Sequence, residues 1–128
     1  MNKEIIKEAI KEFQEGELPE LVEREIDIPL SSSKTISIVG PRRSGKTYLL
    51  FVLMKRLFSQ GISKDRIVYL NFDDPRFLPC DAKGIELILQ AYRELYPEHM
   101  KKTNYLFLDE IQNVKDWELG VRRVHDTR

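Results

Sequence analysis

The run Gly40-Pro41-Arg42-Arg43-Ser44-Gly45-Lys46-Thr47 fits the spacing G-x-x-x-x-G-K-[ST], and the chemistry open to such a run is the holding of phosphate. Its glycines let the backbone fold so that successive N–H groups surround anionic oxygens, and the positive end of a following helix adds to the same field. Lys46 would reach the β- and γ-phosphates of a bound nucleotide, and the Thr47 hydroxyl would coordinate magnesium. Gly40, Pro41, Arg42, Arg43, Ser44, Gly45, Lys46, Thr47 and the next residue, Tyr48, form the expected nucleotide-binding set. Arg42 and Arg43 fill variable positions, where both a solvated surface charge and a contact with phosphate or a partner fit.

A second constellation closes an apolar run, Tyr105-Leu106-Phe107-Leu108-Asp109-Glu110. A buried parallel strand that ends in carboxylates delivers them to the carboxyl edge of its sheet, where ligands of α/β proteins bind. Asp109 would hold the magnesium ion, directly or through its water, opposite Thr47. Glu110 is placed to orient or deprotonate the water that attacks the γ-phosphate, a catalytic role it would share with Lys46. A strand that merely ends in a polar turn is the other reading of these two acids.

Elements that could position such groups are legible around them. Ile36 to Val39, Arg66 to Leu70 and Tyr105 to Leu108 read as strands, and Tyr48 to Phe58 and Gly84 to Tyr96 as the helices between them. That alternation predicts an α/β fold, a parallel sheet flanked by helices and joined by right-handed crossovers. Asp116 to Val124 adds a last helix. At the other end, Ile5, Ile6, Ala9, Ile10 and Phe13 share one helical face, with Asn2 as a cap and an end near Gly16. Glu17 to Ser33 reads as an extended lead-in, with a turn at Ser31 to Lys34. The expected organisation is an N-terminal helix and linker over 1–33 and a nucleotide-binding core over 34–128.

Composition narrows the partners. The chain of 128 residues has 21 basic and 21 acidic side chains, so bulk charge gives no argument for nucleic acid or a membrane surface. Cys80 is the single cysteine, which excludes an internal disulfide and a zinc site built from paired cysteines. No stretch approaches the roughly 20 apolar residues of a membrane span, and Met1 to Lys11 lacks the apolar core of a signal peptide. A cytoplasmic setting is expected.

With both motifs in view, the chain resembles the archaeal and bacterial P-loop ATPases of the AAA+ superfamily, whose Walker B strand leads into Asp-Glu-Ile-Gln. Ile38 to Thr47 is similar to the family's Walker A motif with its paired arginines. Tyr69-Leu70-Asn71-Phe72-Asp73-Asp74 looks like the segment after its second strand, and Leu108 to Val114 followed by Trp117-Glu118 looks like its Walker B region. The resemblance implies a P-loop NTPase fold and magnesium-dependent ATP hydrolysis by Lys46, Thr47, Asp109 and Glu110. It also implies a sensor strand between the P-loop and Walker B strands and a lid. Neither is legible here, so the core reads as three strands and as part of the family's domain. The P-loop and Walker B strands then either pair directly or leave a gap that a second copy fills.

Two functions stand. One is an ATPase whose cycle moves an attached C-terminal region or a self-associated partner; the other is a switch that holds ATP and signals by occupancy without efficient turnover. A guanine-specific site is disfavoured, because Asn113-Val114-Lys115-Asp116 has its lysine in the wrong place for Asn-Lys-x-Asp. Nucleic-acid work rests on analogy alone. Among other residues, Asn71, Asp73 and Asp74 fit either the ligand edge or loop capping, and Arg122 or Arg123 either an arginine finger or a solvated helix face. Trp117, Val114, Val121 and Val124 read as core. His99 and His125 have no ligand-spaced partner and are assigned to surface or packing. Cys80 has no assigned role, and Arg24 to Pro29 is either the approach to the adenine ring, as the resemblance implies, or an ordinary linker packed on the sheet edge.

Overall fold

The computed structural model describes residues 2–16, 35–39, 46–99 and 101–126, and of 35–39, 46–48, 125 and 126 the backbone only. The lead-in over 17–34, the adenine segment and Gly40 to Gly45 lie outside the described residues.

Helix α1, Lys3–Glu15, begins where Asn2 accepts the Ile5 N–H at 2.9 Å, and it ends at Gly16, whose N–H donates to the Glu12 and Phe13 carbonyls. Strand β1 (Thr35–Val39), helix α2 (Lys46–Ser59), β2 (Ile67–Asn71), α3 (Ala82–Leu95), β3 (Asn104–Asp109) and α4 (Trp117–Asp126) follow in the order the apolar periodicity predicts. Asp81 starts α3 by accepting the N–H groups of Lys83 and Gly84 at 3.1 and 3.4 Å.

The three strands form one parallel sheet in the order β1-β3-β2. β1 lies directly beside β3, with Val39 opposite Leu108, which is the first of the two arrangements the sequence leaves open. On the other side Asn71 of β2 stands opposite Asp109. All six residues of β3 are buried, as a strand flanked on both sides and covered on both faces must be.

Alternation along β3 divides the core in two. Leu106 and Leu108, with Val68 and Leu70 of β2, pack against Ile6, Ala9 and Ile10 of α1 and Ile85, Ile88 and Leu89 of α3. Val124 of α4 joins this layer, with Val114 buried and Trp117 and Val121 partly buried against it. Tyr105 and Phe107, with Ile67, pack on the opposite face against Leu50, Leu53, Met54 and Leu57 of α2. Helix α1 straddles the β2 edge: its Ile6 and Ile10 belong to the first layer while Phe13 touches the second. It therefore shares the core of the sheet; the expected boundary at residues 33 and 34 falls outside the described residues. Among the described residues no helix is long and apolar enough to cross a membrane.

Candidate functional site

Parallel strands send their carboxyl ends to one edge, where Asn71, Asp109 and Glu110 lie. The chain leaves β1 at Val39, opposite Leu108 and one residue short of Asp109, and re-enters regular structure at Lys46, the first residue of α2. The glycine-bearing run therefore joins the carboxyl end of β1 to the start of α2. Side chains of Lys46, Thr47 and Tyr48 lie outside the described residues, as does that of His125.

Asp109 follows Tyr105 and Phe107 at period two, so its side chain falls on the face that α2 covers. It is fully buried. Removing an ionised carboxylate from water costs several kcal/mol unless donors meet it, in the range of about 3–5 kcal/mol when a buried charge loses its partner. Two donors are in place: the Glu110 N–H reaches Oδ1 at 3.0 Å and the Tyr69 hydroxyl reaches Oδ2 at 2.8 Å. A polar strand end that served only as a turn would face water; this one is held in the interior at the ligand edge.

Tyr69 is the residue that sequence reasoning passed over. It sits on β2 opposite Phe107, two positions before Asn71, and its ring packs against Phe51 of α2 and Phe13 of α1 at centroid distances of 5.2 and 5.4 Å. Burial, and then the hydrogen bond to Asp109, push its hydroxyl well above the usual tyrosine range, so it remains a donor throughout the physiological range. The available signal was parity: Tyr69 shares with Asp109 the period-two face on which α2 packs.

Glu110 leaves the strand in the left-handed region, at φ 55° and ψ 41°. For a residue with a Cβ that conformation costs about 1–2 kcal/mol. It turns the chain so that the Glu110 N–H points back to Asp109, and it leaves the side chain half-exposed, with Gln112 Nε2 donating to Oε2 at 2.9 Å. The carboxylate is accessible where its neighbour is sealed.

The polar residues after β2 take up loop work. Asn71 Oδ1 accepts the Asp73 N–H at 2.9 Å, and Asp73 in turn accepts Asn113 Nδ2 at 2.8 Å, tying the β2 loop to the β3 loop. Asp74 accepts the Arg76 N–H at 2.9 Å and pairs with its guanidinium at 2.8 Å. Those hydrogen bonds hold the Asp74 carboxyl below its ordinary range. Capping thus accounts for Asp74. His99 is buried, stacked on Tyr96 at 5.0 Å and 3.1 Å from the Tyr92 hydroxyl, which makes it a packing residue at the opposite end of the sheet. Arg123 lies 3.5 Å from Glu86 on an exposed face. Burial, with Asp81 beside it, pushes the Cys80 thiol up to about 11, so it is a poor nucleophile.

A metal ion fits this edge on one condition. Among the described residues no group of three or more His, Cys, Asp or Glu side chains could cage a cation. Magnesium takes one or two protein oxygens and completes its shell with water and phosphate, a demand that a carboxylate such as Asp109 at the sheet edge suits.

Residues 32–128 match the AAA domain family. An uncharacterized protein of Methanocaldococcus jannaschii is 36% identical over 107 residues, covering 84% of this chain and 22% of that protein. An uncharacterized protein of Haemophilus influenzae is 38% identical over 82 residues, covering 63% of this chain and 20% of its own length. The chain spans about a fifth of the length of the curated relatives it matches. No solved structure matches it. Because the family match takes in all three strands, the glycine-lysine run and the Asp109-Glu110 pair, the chain belongs to the AAA domain family.

Proposed function

We propose that the chain is a P-loop module that binds ATP with magnesium and hydrolyses the β-γ phosphoanhydride. One observation carries the reading: a fully buried aspartate, held by two donors, ends the central strand on the face covered by the helix that Lys46 opens. A buried carboxylate is a poor device for stability and a good one for fixing a cation beside phosphates.

In this reading the N–H groups of Gly40 to Gly45 and the start of α2 take the phosphate oxygens, and Lys46 adds its charge at the β- and γ-phosphates. Thr47 and Asp109 would hold magnesium, which would supply positive charge to offset that of the phosphates. Glu110, half-exposed at the sharp turn after Asp109, orients the attacking water and takes its proton. The water oxygen forms the new bond to the γ-phosphorus as the bond to the β-γ bridging oxygen breaks, and inorganic phosphate and ADP leave. The energy released is used by the rest of a longer protein or by a partner, consistent with the length of the relatives.

A second reading is favoured by one feature. β1 pairs directly with β3, the place where the resemblance puts a sensor strand near the γ-phosphate. A switch that holds ATP without efficient turnover follows if that strand is needed for the chemistry.

Calorimetry with ATP, with and without magnesium, and phosphate release over hours in the same sample test both. Lys46→Ala is expected to weaken binding by about tenfold or more, the worth of one charge-assisted contact. Glu110→Gln is expected to keep affinity and abolish release; release that survives that change removes Glu110 from its role. Binding with no release in the unaltered chain selects the switch, and ATP affinity untouched by Lys46→Ala overturns the phosphate site.

A further inference from the structure

We infer that Tyr69 is a positioning residue for Asp109, and that helix α1 bears on the same carboxylate through Phe13. The inference rests on the reading of Asp109 as a magnesium ligand and adds a role for Tyr69 that the motifs do not assign, and an element outside the family match. Phe13 lies outside residues 32–128, the stretch shared with the AAA domain family.

The geometry is specific. A carboxylate at a strand end can rotate about its terminal bond, and its preferred plane is set by whatever donors it meets. Glu110 N–H holds Oδ1 from the main chain, and a donor on Oδ2 restrains the group from swinging about that first bond. Tyr69 supplies it at 2.8 Å. A phenol is suited to this task, because its rigid ring carries the hydroxyl to one place with few rotamers. The ring itself contacts Phe51 of α2 and Phe13 of α1. Phe51 comes from the helix that starts at Lys46, so the element carrying the phosphate-binding lysine and the residue orienting Asp109 are in direct contact. Phe13 comes from an element docked through Ile6 and Ile10 on the opposite layer. A movement of α1 would change the wall behind Tyr69.

The same donor has a chemical consequence. By holding Oδ2 in place the hydroxyl fixes the plane of the carboxylate, and a cation meets an ordered ligand instead of one that must first be ordered. Losing the hydroxyl should therefore weaken the response to magnesium without touching phosphate binding by the main chain.

The test is ADP affinity measured by calorimetry across a magnesium titration, using the whole 128-residue chain. Tyr69→Phe keeps the ring and removes only the hydroxyl, so the fold is expected to survive. Affinity without magnesium should match the unaltered chain, while the magnesium concentration giving half the enhancement should rise at least about threefold. Phe13→Leu should shift it in the same direction by less. In an Asp109→Asn background Tyr69→Phe should add nothing further, because the group it orients has lost its charge. If the unaltered chain shows no magnesium enhancement, the reading of Asp109 fails and takes this inference with it. If enhancement is present and Tyr69→Phe leaves the titration unmoved, or moves it equally in the Asp109→Asn background, Tyr69 is a packing residue only. An unmoved Phe13→Leu removes α1 from the argument.

Discussion

A Cβ placed on Gly120 would lie 2.9 Å from the Ala82 carbonyl oxygen and 2.9 Å from Ile85 Cδ1, so the approach of α4 to the start of α3 depends on the missing side chain. Two effects oppose each other in Gly120→Ala. Alanine gains about 1 kcal/mol of helix propensity in the interior of α4. Overpacking costs about 1–3 kcal/mol, and here the obstacle is partly a main-chain carbonyl that cannot rotate away. The clash wins: denaturant unfolding is expected to show a net loss of about 1 kcal/mol, and a gain in stability would mean that α4 can slide freely along α3. Nothing in the sequence marks Gly120, since a lone helical glycine carries no partner's address. Asp109 and Glu110 are different: their position at the end of an apolar run is local information, and the run's alternation already assigns Asp109 to a face. Tyr69 falls between these cases. Its face is legible, but the 2.8 Å contact depends on β2 lying next to β3, which adjacency in sequence does not supply.

At the scale of elements, the order of strands and helices follows from periodicity, whereas the sheet order β1-β3-β2 and the docking of α1 do not. The charged side of α1 illustrates why. Lys3 and Lys7 meet Glu94 of α3 at 2.7 and 2.9 Å, and Glu12 meets Arg76 at 3.1 Å, partners separated by more than sixty positions along the chain. Hydrogen bonds from Lys3 and Lys7 hold Glu94 below its ordinary value, and the hydrogen bond from Arg76 does the same for Glu12. Both are depressed carboxylates, so their contribution is present above the unfolded value of 4.5 and is lost as pH falls through the lower folded value. Exposed pairs of this kind contribute little. Burial of Ile6 and Ile10, at about 1.5–3 kcal/mol each, is the stronger hold on α1. Acidification from pH 5 to about pH 3 is therefore expected to lower the hydrogen-exchange protection factors of residues 3–15 while leaving the helix docked. Full release of α1 over that interval would show that the ion pairs, and not the two isoleucines, hold it; unchanged protection would show that they contribute nothing.

At the scale of the whole molecule, the carboxyl ends of β1 and β3 lie side by side and α2 packs on the same sheet, and these elements meet only in the folded chain. A ligand that needs all of them binds the native state and has no site in the unfolded one. Its effect on stability then follows from mass action alone, about 2.7 kcal/mol when free ligand stands at a hundred times its dissociation constant. Unfolding entropy near 2.1 cal/mol/K per residue makes each kcal/mol worth roughly 3–5 °C for a chain of 128 residues. Magnesium with ADP at that excess should raise the melting temperature by about 10 °C. Magnesium alone should raise it little, because a single buried carboxylate lacks the phosphate oxygens that complete the shell. Lys46→Ala at the same ligand concentration should lose most of the rise, and Tyr69→Phe should lose only the part that magnesium adds. An equal rise with magnesium alone would locate the stabilisation in a cation site independent of the phosphates, and an equal rise in Lys46→Ala would place the nucleotide elsewhere on the molecule.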